Sequence, residues 1–137
     1  MYELRRLKLY AGWLHSQDNT GIVDTSLAEQ PIPDISRLKN TNRIDDGLFT
    51  GFAWRIAGPL LLSTALYYDH MRNAATANGT LGSGSRYTVV ELAEYELSKR
   101  TEVYGTVDFN RVTDAAGVEL PGRGNQTGVA IGMRSFF

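Results

Sequence analysis

Apolar and polar side chains alternate one for one along six stretches of this chain, and a period of two forces a pleated strand with one greasy and one wettable face. Leu7, Leu9, Ala11 and Trp13 fall on one side of the first stretch, 7–16, with Lys8, Tyr10, Gly12 and Ser16 on the other. In the second, 47–56, Leu48, Phe52, Trp54 and Ile56 oppose Gly51, Ala53 and Arg55. The third, 60–70, sets Leu60, Leu62, Leu66 and Tyr68 against Ser63, Ala65, Tyr67 and Asp69. Tyr87, Val89, Ala93, Tyr95 and Leu97 share a face in the fourth, 86–97, away from Arg86, Thr88, Glu94 and Glu96. The fifth carries Val103, Gly105, Val107 and Phe109 against Glu102, Thr106, Asp108 and Asn110. The last, 127–137, carries Val129, Ile131, Met133 and Phe137 against Gly128, Ala130, Gly132 and Arg134. The spacing therefore predicts an all-β chain of about six antiparallel strands, each about ten residues long. A tilted strand needs that length to cross a bilayer, whereas strands of soluble domains average nearer five or six residues.

The connections differ in length in a regular way. A long polar stretch over 17–46, with Pro31 and Pro33, follows the first segment; Ala57-Gly58-Pro59 is a tight turn; 71–85 is a medium loop rich in Gly and Asn; Ser98-Lys99-Arg100 is tight again; and 113–125 is longer. Long connections at one end and tight turns at the other are the layout of an up-and-down transmembrane barrel, with long loops outside the cell. Trp54, Tyr68, Tyr95 and Phe137 lie toward the ends of the apolar faces, where such barrels carry aromatic girdles. The same aromatics would serve as core residues in a soluble β-sandwich, and periodicity by itself does not separate lipid from core.

Composition narrows the partners. Fourteen Lys and Arg against 15 Asp and Glu leave a net charge of −1, with none of the basic excess of a nucleic-acid binder. The absence of cysteine removes disulfides, zinc clusters and thiol chemistry. A mean hydropathy of −0.25 resembles that of a soluble protein, but an alternating strand averages its two faces and keeps hydropathy modest even in a membrane. The longest apolar stretch, 56–62, is interrupted by Gly58 and Pro59, far short of the roughly 18 residues of a spanning helix. Behind Met1 stand Tyr2, Glu3, Arg5 and Arg6 with no apolar run, so no signal peptide is expected, and export would depend on a longer parent sequence.

The stretches VVELAEYELSKRTEVYGTVDFNRV and GNQTGVAIGMRSFF resemble the closing strands of the trimeric general porins of Gram-negative bacteria. The run Tyr95 to Thr101, continuing to Val103-Tyr104, is similar to β-proteobacterial members, and KLYAGWLHSQ and RIDDGLFTGFAWRIAGPLLLSTALYYDH resemble the strands before it. The resemblance covers nearly the whole chain. It implies the C-terminal portion (1–137) of an outer-membrane β-barrel that passes small hydrophilic solutes and ions by passive diffusion, with no reaction to catalyse and no cofactor or metal. It further implies outer-membrane lipid as surroundings, a homotrimer for the full-length parent, and recognition of Ile131, Met133 and Phe137 by the barrel-assembly machinery. Period-two assignment places Lys8, Tyr10, Arg55, Asp69, Arg86, Glu94, Glu96, Asp108, Asn110 and Arg134 on the side expected to line the pore. Their mixed signs argue against strong ion selectivity.

Three features depart from the family pattern. Phe136 stands where a basic or polar residue is usual. Glu91 falls on the face assigned to lipid, which predicts a local bulge or a slipped register. The family closes its barrel with about sixteen strands against six here, so a truncated gene, a mis-called start or an excised domain is expected, with the inward-folded constriction loop of the family lying upstream. Two other readings compete: a lipocalin-like soluble ligand-binding module, and a non-functional remnant. Catalytic signals are weak. His15 and His70 sit on separate segments, 79–85 is glycine-rich without the GK[ST] of a phosphate loop and reads as a flexible loop, and Glu94 with Glu96 reads as a hydrated wall rather than an acid–base pair. The sequons at Asn78 and Asn125 are expected to be chance matches.

Overall fold

Seven antiparallel strands in sequence order make one sheet in the computed structural model of the chain, which describes residues 2–4, 6–19, 42–76, 78–120 and 123–136. They are β1 (Tyr2–Leu4), β2 (Leu7–Asp18), β3 (Arg43–Ala57), β4 (Leu60–Ala75), β5 (Leu81–Ser98), β6 (Thr101–Asp114) and β7 (Asn125–Ser135). Six are the long strands expected from the alternation, and β1 is a three-residue addition that pairs with the start of β2. Every neighbour in sequence is a neighbour in space, as short connections between antiparallel strands require. Among the described residues β1 and β7 do not pair with each other, so the sheet is open at both edges.

The strands outrun their expected lengths. They hold 12, 15, 16, 18, 14 and 11 residues from β2 to β7, and most of the excess lies at the end away from the tight turns. The loop expected over 71–85 contracts to 76–80, where the Thr76 amide donates to the Thr80 carbonyl at 2.8 Å and Gly79 takes φ 71°. Most of the glycine-rich run read as a flexible loop is thus paired strand. The physical reason is that ladder hydrogen bonds need backbone groups and not apolar side chains, so pairing continues past the point where the hydropathy pattern fades. At the other end Gly58-Pro59 and Lys99-Arg100 make the tight turns as expected, and the Glu96 amide donates to the Pro59 carbonyl at 2.9 Å. The stretch expected as a loop over 17–46 yields both of its ends to β2 and β3, while Pro31 and Pro33 lie outside the described residues.

Residues opposite one another across antiparallel strands share a face, so register decides where each side chain points. Leu9, Phe52, Thr64, Glu91, Val107 and Val129 form one continuous row across six strands. Flanking rows on the same face include Leu7, Trp54, Leu62, Ala93, Gly105 and Ile131 on one side, and Ala11, Thr50, Leu66, Val89, Phe109 and Thr127 on the other. Next comes a row of Trp13, Leu48, Tyr68, Tyr87, Arg111 and Asn125, and beyond it His15, Asp46, His70, Ser85 and Thr113. The apolar band therefore stops at Trp13 in β2, one row sooner at Phe109 in β6, and two rows sooner at Val129 in β7. Its border runs obliquely to the rows.

Glu91 corrects the expectation of a bulge or a slipped register. The register shifts lie elsewhere, at 55–57, 71–74 and 96–98, and Glu91 stands in line on the apolar face. There the Thr64 hydroxyl donates to its carboxylate at 2.7 Å. A neighbouring hydroxyl thus partners the charge without any distortion of the strand.

The core is small and sits at one end. Met71, Ala74, Ala75, Val112, Ala115 and Ala116 are the buried apolar residues described, all at the end opposite the tight turns. They gather where the β6–β7 connection folds as a 3₁₀ turn over Ala115–Glu119 onto the sheet. The longer connection expected over 113–125 lies, as the alternation of loop lengths implied, at the end opposite the tight turns, and its 3₁₀ turn packs back onto the sheet. Over the rest of the sheet both faces are open: Leu9, Trp54 and Leu66 are exposed, and Ile131 is 86% exposed. Among the described residues no helix is long and apolar enough to cross a membrane, which says nothing about strands.

Candidate functional site

Among the described residues, the face opposite the apolar band holds most of the ion pairs. Register sets Lys8, Tyr10, Arg55, Asp69, Arg86, Glu94, Glu96, Asp108, Asn110 and Arg134 all on this face, the same ten residues that the alternation had grouped. Pleating groups the pairs that share a strand, such as Lys8 with Tyr10 and Asp108 with Asn110, and register aligns the faces of neighbouring strands, bringing in Arg55, Asp69 and Arg134.

They fall into three groups along the strands. At the tight-turn end the Arg55 guanidinium donates to Glu96 Oε1 at 3.0 Å and to the Gly58 carbonyl at 2.8 Å. Beside them Arg134 stands 3.6 Å from Glu94 and pairs with Glu102. In the middle, Thr88 donates to Asn110 Oδ1 at 2.6 Å and Asn110 donates to Asp108 Oδ2 at 2.8 Å. At the far end Asp69 lies directly opposite Arg86, and Arg86 reaches Glu119 at 2.5 Å. Both Glu94 and Glu96 therefore have arginine partners.

Further charged residues on this face include Asp18, opposite Arg43, and Glu102, Arg43, Asp45 and Glu119. Glu102 was visible in the alternation. Arg43 and Asp45 were hidden because they lie in the stretch expected as a loop, and Glu119 because it lies on a connection. No sequence pattern available in one chain marks Glu119: its neighbours Ala115, Ala116 and Gly117 have the composition of an ordinary turn.

Glycines shape the middle of the face. Gly51 lies under the Tyr10 ring, whose hydroxyl crosses it to donate to the Thr64 carbonyl at 2.9 Å. A Cβ there would strike both that ring and the carbonyl. Gly132 lies under the Tyr104 ring in the same way. Glycine weakens a strand interior, and at these two places it lets an aromatic ring lie flat along the sheet rather than stand out from it.

On the opposite face the aromatics form two tiers. Tyr68 and Tyr87 face each other with ring centroids 5.0 Å apart, in the row that also holds Trp13. Trp54 and Tyr95 stand toward the tight-turn end. Trp13 and Tyr87 thus join the tier expected from Tyr68, while Phe137 lies outside the described residues. Ile131 and Met133 are exposed on the edge strand β7.

Beyond the upper tier a polar rim begins. His15 Nδ1 lies 2.6 Å from Asp46 Oδ1 and Arg72 donates to Asp46 Oδ2 at 2.7 Å. The His15 hydrogen bond, assisted by Arg72, holds the Asp46 carboxyl below the ordinary value of 3.8. His70 Nδ1 lies 3.0 Å from the Ser85 hydroxyl, so the two histidines do not converge. Among the described residues no group of His, Cys, Asp and Glu is placed to hold a metal ion. A depression of about 510 Å³ beside Leu48, Leu66, Tyr68, Tyr87 and Val89 is lined by no carboxylate, histidine, lysine or arginine.

In comparisons with known proteins the chain matches no family model, no curated protein and no solved structure, and the geometry of its two faces carries the functional argument.

Proposed function

We propose that this chain forms part of the wall of a water-filled channel in a bacterial outer membrane, with its apolar face toward lipid and its charged face toward the lumen. The observation that carries the reading is the pairing of an exposed apolar band, bordered by aromatic tiers, with a face on which all ten alternating polar residues stand together. From Leu60 to Tyr68 the band covers about 27 Å of strand, which a tilt of about 40° brings to roughly 20 Å, close to the ~25 Å apolar belt of outer-membrane barrels. Its oblique border is what tilted strands require, since a flat membrane surface must cut the rows at an angle. The resemblance of the closing strands to general porins supports the same reading.

Transport here is diffusion, and the wall acts through hydration and fixed charge. The ten face residues carry four basic and four acidic side chains, and with Arg43, Asp18, Asp45, Glu102 and Glu119 the face is of mixed sign, a lining for small hydrophilic solutes. Glu91 is the one acid within the apolar band. Its cost depends on depth, up to a few kcal/mol near the midplane for a charge and less for Glu than for Arg or Lys, and the Thr64 hydroxyl offsets part of it.

Two open edges shape the reading further. Hydrocarbon cannot satisfy unpaired strand edges, and closed barrels begin at about eight strands. The channel therefore needs strands beyond these, supplied by edge-to-edge pairing of further copies of this chain or by the longer homotrimeric parent that the porin resemblance implies. The C-terminal strand with Ile131 and Met133 would then be the segment offered to the assembly machinery.

A lipocalin-like soluble module would bury its apolar residues inward, and the exposure of Leu9, Trp54, Leu66 and Ile131 argues against it. The test is reconstitution. The chain should require detergent or lipid to stay dispersed, insert into vesicles, and give stepwise conductance in planar bilayers. A monodisperse protein in plain buffer that ignores vesicles would overturn the membrane reading. Insertion with silent bilayers would leave an inserted remnant without a channel.

A further inference from the structure

We infer that Glu119 clamps the β6–β7 connection inward across the polar face, so that residues 115–120 narrow the channel at the end opposite the tight turns. The narrowing rests on the channel reading above, whereas the clamp stands on contacts within the chain.

Among the described residues, the buried apolar cluster lies under this segment. Ala116 is fully buried and Met71 is 1% exposed. Met71 and Val112 both project from the polar face by register, so two apolar side chains among charges have their cover supplied by the 3₁₀ turn. The backbone itself makes the approach. Asp114, at φ 53°, turns the chain inward in a conformation that few residues other than Gly, Asn and Asp adopt readily. Gly84 opposite has no room for a Cβ, which would meet the amide nitrogens of Ala115 and Ala116.

Glu119 closes the arrangement. Its side chain is 4% exposed, 2.5 Å from Arg86 on β5 and 3.6 Å from Arg43 on β3. A carboxylate this dry is retained only with charged partners, and two guanidiniums from strands on either side of β4 provide them. Arg43 is itself fixed by Asp45 at 2.9 Å. The connection is thus tied at its start by apolar packing and at its end by ions. An outward loop would need neither.

The chain lacks cysteine, so a thiol placed at Ala116 is a unique reporter. In the full chain in lipid vesicles, Ala116→Cys should react with a water-soluble maleimide about ten-fold or more slower than Asn125→Cys, because reaction requires local opening. Adding Glu119→Gln should raise its rate about ten-fold, and the charge-swapped pair Arg86→Glu with Glu119→Arg should return part of the protection. Equal rates with Glu and Gln at position 119 would overturn the clamp. Should Ala116→Cys not fold, amide exchange over 115–120 in Glu119→Gln against the unaltered chain gives the same decision.

In planar bilayers Glu119→Gln should raise single-channel conductance, and unchanged conductance would overturn the narrowing. Silent bilayers together with a protected thiol would overturn the channel reading, and the narrowing with it, while supporting the clamp.

Discussion

The two ends of the polar face use the same chemistry at very different depth. At the tight-turn end Arg55 meets Glu96 with both side chains about half exposed, and Arg134 reaches across to Glu94 and Glu102 from an exposed position. At the other end Glu119 is almost wholly removed from water between Arg86 and Arg43. Water and salt screen the Arg55–Glu96 pair and leave it of small energetic value, while Glu102, 15% exposed beside Arg134, is intermediate. The Glu119 carboxylate has lost its hydration, so it and its arginines depend on each other. Ion pairs on one face therefore serve two ends: a hydrated, adjustable wall at the turns, and a fixed tie at the loop end.

The largest expected effect comes from breaking the buried tie. Glu119→Ala leaves Arg86 without its carboxylate and should destabilise the loop end by about 3–5 kcal/mol, seen as loss of amide protection over 115–120 and a lower denaturant midpoint. Next is the opposite face. Leu66→Arg should cost about 2–4 kcal/mol in vesicles if that position lies near the bilayer midplane, with little effect in a detergent-free soluble state. A vesicle unfolding titration showing no loss would remove the lipid-facing assignment. Gly51→Ala, where the new Cβ meets both the Tyr10 ring and the Thr64 carbonyl, should cost about 1–3 kcal/mol through overpacking. Adding Tyr10→Ala should recover only part of it, because the carbonyl remains.

The exposed pairs should respond least. Arg55→Ala is expected to change stability by less than about 1 kcal/mol while altering the salt dependence of conductance, and a larger loss would erase the contrast between the two ends. On the rim, the depressed Asp46 carboxyl contributes stability that is full above the ordinary carboxyl value of 3.8 and is lost as pH falls through its lower folded value. Amide exchange near Asp46 should quicken on acidification below that range. His15→Ala removes the largest cause of the shift and should move this onset to higher pH.

Much of this was legible because a strand's pleat converts sequence parity into direction. Lys8 and Tyr10, Glu94 and Glu96, Asp108 and Asn110 could be placed on common faces from spacing, and register adds only which rows they share. Strand ends were less legible. Asp45, Arg72 and Ser85 continue the ladder with side chains that carry no apolar signal, so hydropathy stopped short of the pairing. Glu91 stood out as an anomaly, but its partner Thr64 lies on another strand, and a bulge or a slip was the natural expectation without it. The bulges at 55–57, 71–74 and 96–98 left no mark in the pattern.

Alternation along the chain determined that there would be long strands with one apolar and one charged face, because those properties follow from the backbone's period of two and need no distant partner. The inward course of the β6–β7 connection was decided only in three dimensions. Arg43, Arg86 and Glu119 come from two strands and a turn, and nothing local ties them. Their union depends on strand order and register, which bring groups far apart in sequence to within bonding distance at a place where water is excluded.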